Sequence, residues 1–126
     1  ANYGLVPAGG STARLPRRVG QQLSKYMIFT GAQVDAETLR AAGLIHEVVP
    51  RAGLDAAVEA LVARLVDKSP LALARSKRLI DLGMDLSEAE AARQEARLSV
   101  EHCRSRDVEE GLAAFAQKRK PNFVGE

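Results

Sequence analysis

From residue 54 to the end of the chain, apolar side chains return at the interval of an α-helix. Leu54, Val58, Leu61, Val62, Leu65 and Val66 stand at i, i+4, i+7, i+8, i+11 and i+12, one stripe along a helix of about four turns. A second helix is predicted over KSPLALARSKRLIDLG, with Ser69 as N-cap, Pro70 at the first helical position and Gly83 as terminator. A third opens at LSEAEAARQEARLSVEHC, where Ser87 and Glu90 have the spacing of a capping box. The last repeats that device with Asp107 and Glu110 and runs to Pro121. The first fifty residues are more mixed. A short helix begins at STARL, and Pro16 is expected to interrupt it, because proline lacks the N–H that a continuing helix needs. Gly20 separates it from QQLSKYMIF, whose Leu23, Tyr26 and Met27 share one face. Asp35 is placed to cap the next helix, Gly43 to end it, and LIHEVV then reads as one short β-strand closed by Pro50.

A lone strand cannot make a sheet. LIHEVV must therefore pair outside the sequence or lie as an orphan against helices. Composition points the same way: 46% of residues are hydrophobic, but much of that is alanine, which buries little area, and tryptophan is absent. The expectation is an incomplete body that needs a partner. The 18 basic and 16 acidic residues give a formal charge of +2, a near balance that argues against a general nucleic-acid binder and disfavours an RNA-binding fragment that would use the KRK tail. Cys103 is the single cysteine, which excludes an internal disulfide and fits a reducing compartment. With no long apolar run and no visible leader, the expectation is a soluble, cytoplasmic protein that neither spans nor needs a membrane.

Two stretches carry candidate chemistry. In PAGGST, Gly9 and Gly10 allow close approach of backbone N–H groups to an anion or an acyl group, and Ser11 or Thr12 can cap the helix that follows. A phosphate-cradling P-loop is the poorer reading, since no lysine follows the glycines and no strand precedes them. In FAQKRKPNF, Lys118, Arg119 and Lys120 lie between Phe115 and Phe123, a set suited to a nucleotide bearing phosphates, although cations also favour a helix C-terminus for its dipole. His46 and His102 are too few and too far apart in sequence for a metal site, and Cys103 reads as a small buried apolar group. Arg14, Arg17 and Arg18 read as a solvated turn, and Glu88, Glu90 and Glu95 as a polar helix face.

Four segments, GLVPAGGSTARLPRRVG, TGAQVDAETLRAAGLIHEVVP, SPLALARSKRLID and DVEEGLAAFAQKRKPNF, taken in order, closely resemble the C-terminal half of the enoyl-CoA hydratase/isomerase (crotonase) family. The resemblance implies the C-terminal part of the α/β crotonase (ClpP/crotonase-like) spiral fold, mainly α in this chain. Residues 1–50 would end the spiral ββα core and residues 51–126 would form a helical trimerisation region. It implies an acyl-CoA substrate, no separate cofactor and no metal, a homotrimer or hexamer, and the missing N-terminal half as partner. The activity implied is that of a lyase of fatty acid metabolism, an enoyl-CoA hydratase; an isomerase of the same family, or a non-catalytic trimerisation module, are the alternatives. No catalytic residue is expected here: Gly4 and Pro7 fit the later positions of the hydratase P-E-x-x-x-G-x-x-P pattern, so its glutamate would precede Ala1, and the second acid and the oxyanion-hole donors would lie further upstream. The substrate-binding residues implied are Pro7, Ala8, Gly9 and Gly10 at the acyl end, and Phe115 and Lys118 at the coenzyme A end. Ser11 stands where relatives often have glycine, and Gln117 where they usually have glutamate.

Overall fold

The computed structural model describes residues 3–126; Ala1 and Asn2, which open the first expected segment, lie outside the described residues. Seven α-helices follow one another: α1 (Ser11–Val19), α2 (Gln21–Thr30), α3 (Ala36–Ala41), α4 (Leu54–Val66), α5 (Pro70–Gly83), α6 (Glu88–His102) and α7 (Arg106–Ala116), with a 3-10 turn at Arg51–Gly53 before α4. They divide into two compact units, Ala1–Leu54 and Asp55–Glu126.

In the first unit α1 packs on α2. Pro16 does not interrupt α1, which runs through it to Val19. The cost is confined to one hydrogen bond: in this nine-residue helix proline removes the N–H that would reach the Thr12 carbonyl one turn back, while the Arg17 guanidinium makes a separate bond to the Ala13 carbonyl at 2.8 Å. Helix α3 starts and ends as its sequence dictates. The Asp35 carboxylate accepts from the Thr38 N–H at 2.7 Å. At the other end Gly43, at φ +80°, lets the Leu44 N–H reach the Leu39 carbonyl (2.9 Å) and its own N–H reach Arg40 (3.0 Å), a complete Schellman closure.

The expected strand at LIHEVV does not form, and there is no strand among the described residues; Leu44 to Val49 run as bends and irregular chain. A strand exists only through its ladder partners, and none of the described residues forms a second strand to supply them.

In the second unit α5 packs on α6. Arg75 ties them, donating to Glu101 Oε1 at 2.8 Å and lying 3.1 Å from Nδ1 of His102. Ser69 caps α5 by accepting from the Ala72 N–H at 3.0 Å, with Pro70 at its first turn. Gly83 is the last helical residue of α5 rather than the residue beyond it. Ser87 caps α6 through the Glu90 N–H at 3.3 Å, but the box stays half made, because the Glu90 carboxylate binds Arg93 (2.6 Å) and Gln94 (2.9 Å) instead. At α7 the cap is Ser105, which accepts from the Val108 N–H, and not Asp107.

Among the described residues, neither unit has a conventional core of large buried apolar side chains. Among the described residues the buried hydrophobic side chain is Ala114, and the largest fully buried ones are Asp107 and Ser24. The α4 stripe read from the sequence is present and exposed along its length, from 44% at Leu61 to 70% at Val66. Alanine-rich helices leave their larger apolar residues outward, as expected of surfaces shaped to be covered.

Candidate functional site

In the first unit, Pro7 and Ala8 run as irregular chain into a turn at Gly9 and Gly10 directly ahead of α1. Gly9 (φ +69°) and Gly10 (φ +84°) both occupy the left-handed region. At Gly10 the left-handed backbone is what favours glycine, since the nearest atoms to an added Cβ, Nε of Arg14 at 2.8 Å and its guanidinium, belong to a flexible side chain that can move aside. Gly10 itself is the N-cap of α1 and receives no side-chain cap. Ser11, expected to cap, donates its hydroxyl to the Ala8 carbonyl at 2.9 Å and so closes the glycine turn.

In the second unit, Phe115 and Lys118 are brought together at the end of α7. Phe115 is 86% exposed. Lys118 sits at φ +53°, the one positive value among the described non-glycine residues. Its N–H donates to the Phe115 carbonyl (3.2 Å) and the next N–H, of Arg119, to Ala114 (3.0 Å), the Schellman closure that normally takes glycine. A lysine there bears a strain of about 1 kcal/mol, which persists only where the surroundings enforce it.

The enforcement comes from two carboxylates on α7 whose role was not legible in the sequence. Beyond Lys118 the chain doubles back along α7. Glu110 accepts from Nη1 (2.5 Å) and Nη2 (2.8 Å) of Arg119 and from the Asn122 N–H (2.7 Å). One turn earlier, Asp107 is 1% exposed and accepts from Ser69 Oγ and from the N–H groups of Val124 (2.8 Å) and Gly125 (3.0 Å). Phe123 lies between them against Gly111. The pair read as a capping box is in fact a double clamp on the C-terminal segment.

The electrostatics follow from these partners. The Arg119 hydrogen bonds first, then that from the Asn122 N–H, hold the Glu110 carboxyl down to about 2 against its ordinary 4.5. Glu110 in turn raises the Arg119 guanidinium. Burial pushes the Asp107 carboxyl up, but hydrogen bonds from Ser69, Gly125 and Val124, with the charge of His102, together leave it below its usual value. A depressed carboxylate stabilises the fold above its unfolded pKa and loses that contribution as pH falls through its folded one. Thermal melting followed by circular dichroism is therefore expected to fall between pH 4.5 and about 2, and Glu110→Gln should flatten that slope.

Arg119 is thus fully engaged, donating also to Gln117 Oε1 (2.7 Å) and the Lys120 carbonyl (3.1 Å). Lys118 and Lys120 carry no ion pair among the described residues. Cys103, read as buried, is exposed at the end of α6. No group of three or more His, Cys, Asp or Glu side chains suited to a metal ion occurs among the described residues, and no described helix is long and apolar enough to cross a membrane.

Comparison with known proteins supplies the frame. A family model described as enoyl-CoA hydratase/isomerase matches residues 1–126. The chain is 38% identical to enoyl-CoA hydratase domain-containing protein 2, mitochondrial, of Bos taurus, over 98% of this chain and 43% of that protein. It is 35% identical to the enoyl-CoA isomerase/hydratase fer4 of Mycosarcoma maydis, over 97% and 44%. A crystal structure of enoyl-CoA hydratase from Bacillus anthracis superposes with TM-score 0.93 at 29% identity, covering 99% of this chain and 48% of that one. The chain thus spans about half the length of the relatives it matches.

Proposed function

Because this chain belongs to the enoyl-CoA hydratase/isomerase family, we propose that it is the C-terminal half of an enoyl-CoA hydratase, which adds water across the double bond of a trans-2-enoyl-CoA. The observation that carries the reading is the match of the whole chain, in sequence and in backbone, to about half of such enzymes. In this reading the acids that handle the water, and the backbone donors that hold the thioester oxygen as it gains charge, come from polypeptide preceding Ala1. This half supplies binding surface. The turn Pro7–Gly10 lines the acyl end, with the Ala8 N–H turned to the reacting water while the Ala8 carbonyl is occupied by Ser11. Phe115 and Lys118 meet the coenzyme A, the ring against the adenine and the ammonium against phosphate. The exposed α4 stripe supports a trimer or hexamer in which it is covered.

The test is hydration of crotonyl-CoA by the intact protein, followed as loss of the enoyl-thioester absorbance. Turnover of a 3-enoyl-CoA to its 2-enoyl isomer without hydration would replace the hydratase by an isomerase. Lys118→Ala in the intact protein is expected to weaken coenzyme A binding by about 1 kcal/mol, roughly fivefold, measured by titration calorimetry. Unchanged affinity would remove Lys118 from the site. The same exposed apolar faces favour one second reading, a non-catalytic assembly module. An intact protein that assembles but turns over neither thioester would favour it.

A further inference from the structure

The tail presents three consecutive cations, Lys118, Arg119 and Lys120, and their sequence does not say which is free for a ligand. Their geometry sets Arg119 apart from the two lysines, neither of which carries an ion pair among the described residues. Both terminal guanidinium nitrogens of Arg119 are committed to Glu110 at 2.5 and 2.8 Å, whereas Lys118 is displayed one residue earlier on a left-handed turn, with no ion pair among the described residues. Glu110 holds that turn from beyond it, gripping Arg119 and, through the Asn122 N–H at 2.7 Å, the chain after it. Two anchors just past Lys118 leave its backbone no room to relax to the ordinary right-handed conformation.

We infer that Glu110 is a positioning residue for coenzyme A binding, acting through Arg119 to hold Lys118 in its left-handed turn and to leave its ammonium free to meet a phosphate. The inference rests on the reading of Lys118 given above. It adds that Arg119, the strongest phosphate ligand of the three by chemistry, is withdrawn from the ligand by Glu110. It also explains why a lysine tolerates a glycine position: the strain is held by a carboxylate with three donors.

The test is a double-mutant cycle in the intact enzyme, reading coenzyme A affinity by calorimetry and the KM and kcat of crotonyl-CoA hydration. Glutamine at 110 retains an acceptor for the Asn122 N–H and removes the charge. Glu110→Gln is expected to weaken coenzyme A binding about as much as Lys118→Ala, roughly fivefold, and to raise KM without changing kcat. The double variant should bind no more weakly than Lys118→Ala, because both changes remove one contact. Two independent losses that multiply would overturn the inference, since Glu110 would then act elsewhere. So would a Glu110→Gln enzyme of unchanged affinity beside a weakened Lys118→Ala enzyme; in that case Lys118 keeps its assigned role and only the positioning fails. Unchanged affinity in Lys118→Ala removes the reading beneath it and the inference together. Arg119→Gln breaks the same link from the other side, and the same cycle with it decides the matter should Glu110→Gln not fold.

Discussion

Asp107→Ala is expected to lower the melting temperature of the chain by roughly 10 °C, the largest effect of any single substitution outside the glycine turns. Asp107 is the most deeply buried charged group described, and its hydrogen-bond donors are the Ser69 hydroxyl and the backbone N–H groups of Val124 and Gly125. Ser69 sits at the centre of the loss. Its oxygen caps α5 by accepting from Ala72 at 3.0 Å while its hydroxyl donates to Asp107, so one carboxylate joins the start of α5, the start of α7 and the end of the chain. Alanine at 107 would leave the Val124 and Gly125 N–H groups unpaired and loosen the cap. Asp107→Asn, which keeps an acceptor but gives up the charge, should fall between wild type and alanine. Ser69→Ala should do less than either, because it leaves the two tail hydrogen bonds intact. A melting curve for Asp107→Ala within a degree or two of wild type would show that the tail is not held by this carboxylate.

The second large effect divides by context. Val58→Lys with Leu61→Lys, on the exposed stripe of α4, is expected to leave the melting temperature of the isolated chain almost unchanged, since substitutions at exposed positions fall within about 0.5 kcal/mol. In the intact protein the same pair should abolish assembly. Covering a valine and a leucine contributes about 1.5–3 kcal/mol each, so their loss alone weakens association by at least a hundredfold, and placing two charges in a sealed interface adds to it. Sedimentation velocity on both preparations reads the contrast. If the isolated chain melted as early as the intact variant disassembled, the stripe would be packing internally and its exposure would not mark an interface.

Much of this was legible one residue at a time. Asp35, Ser69 and Ser87 were recognisable as caps because a cap is a contract between a side-chain oxygen and an N–H three residues on. The six-residue stripe of α4 was legible because period alone defines a helix face. The family, too, was visible in the order of four segments. Where reading failed, a distant or a competing partner decided. LIHEVV has strand composition without a strand to pair with. Glu90 had the spacing of a box, but Arg93 and Gln94 outbid the Ser87 N–H for its oxygens. Pro16 stayed inside a helix that local rules would have broken.

The candidate site divides in the same way. That Gly9 and Gly10 make a tight turn, and that cations gather after Phe115, belongs to the sequence, because glycine's freedom and the sign of a charge are properties of single residues. Which of those cations faces outward belongs to the tertiary structure. Asp107 and Glu110 took on their meaning only when the final residues folded back along α7, and hydrogen bonds between groups 9 to 38 positions apart in the chain leave no periodic trace for local reading to find.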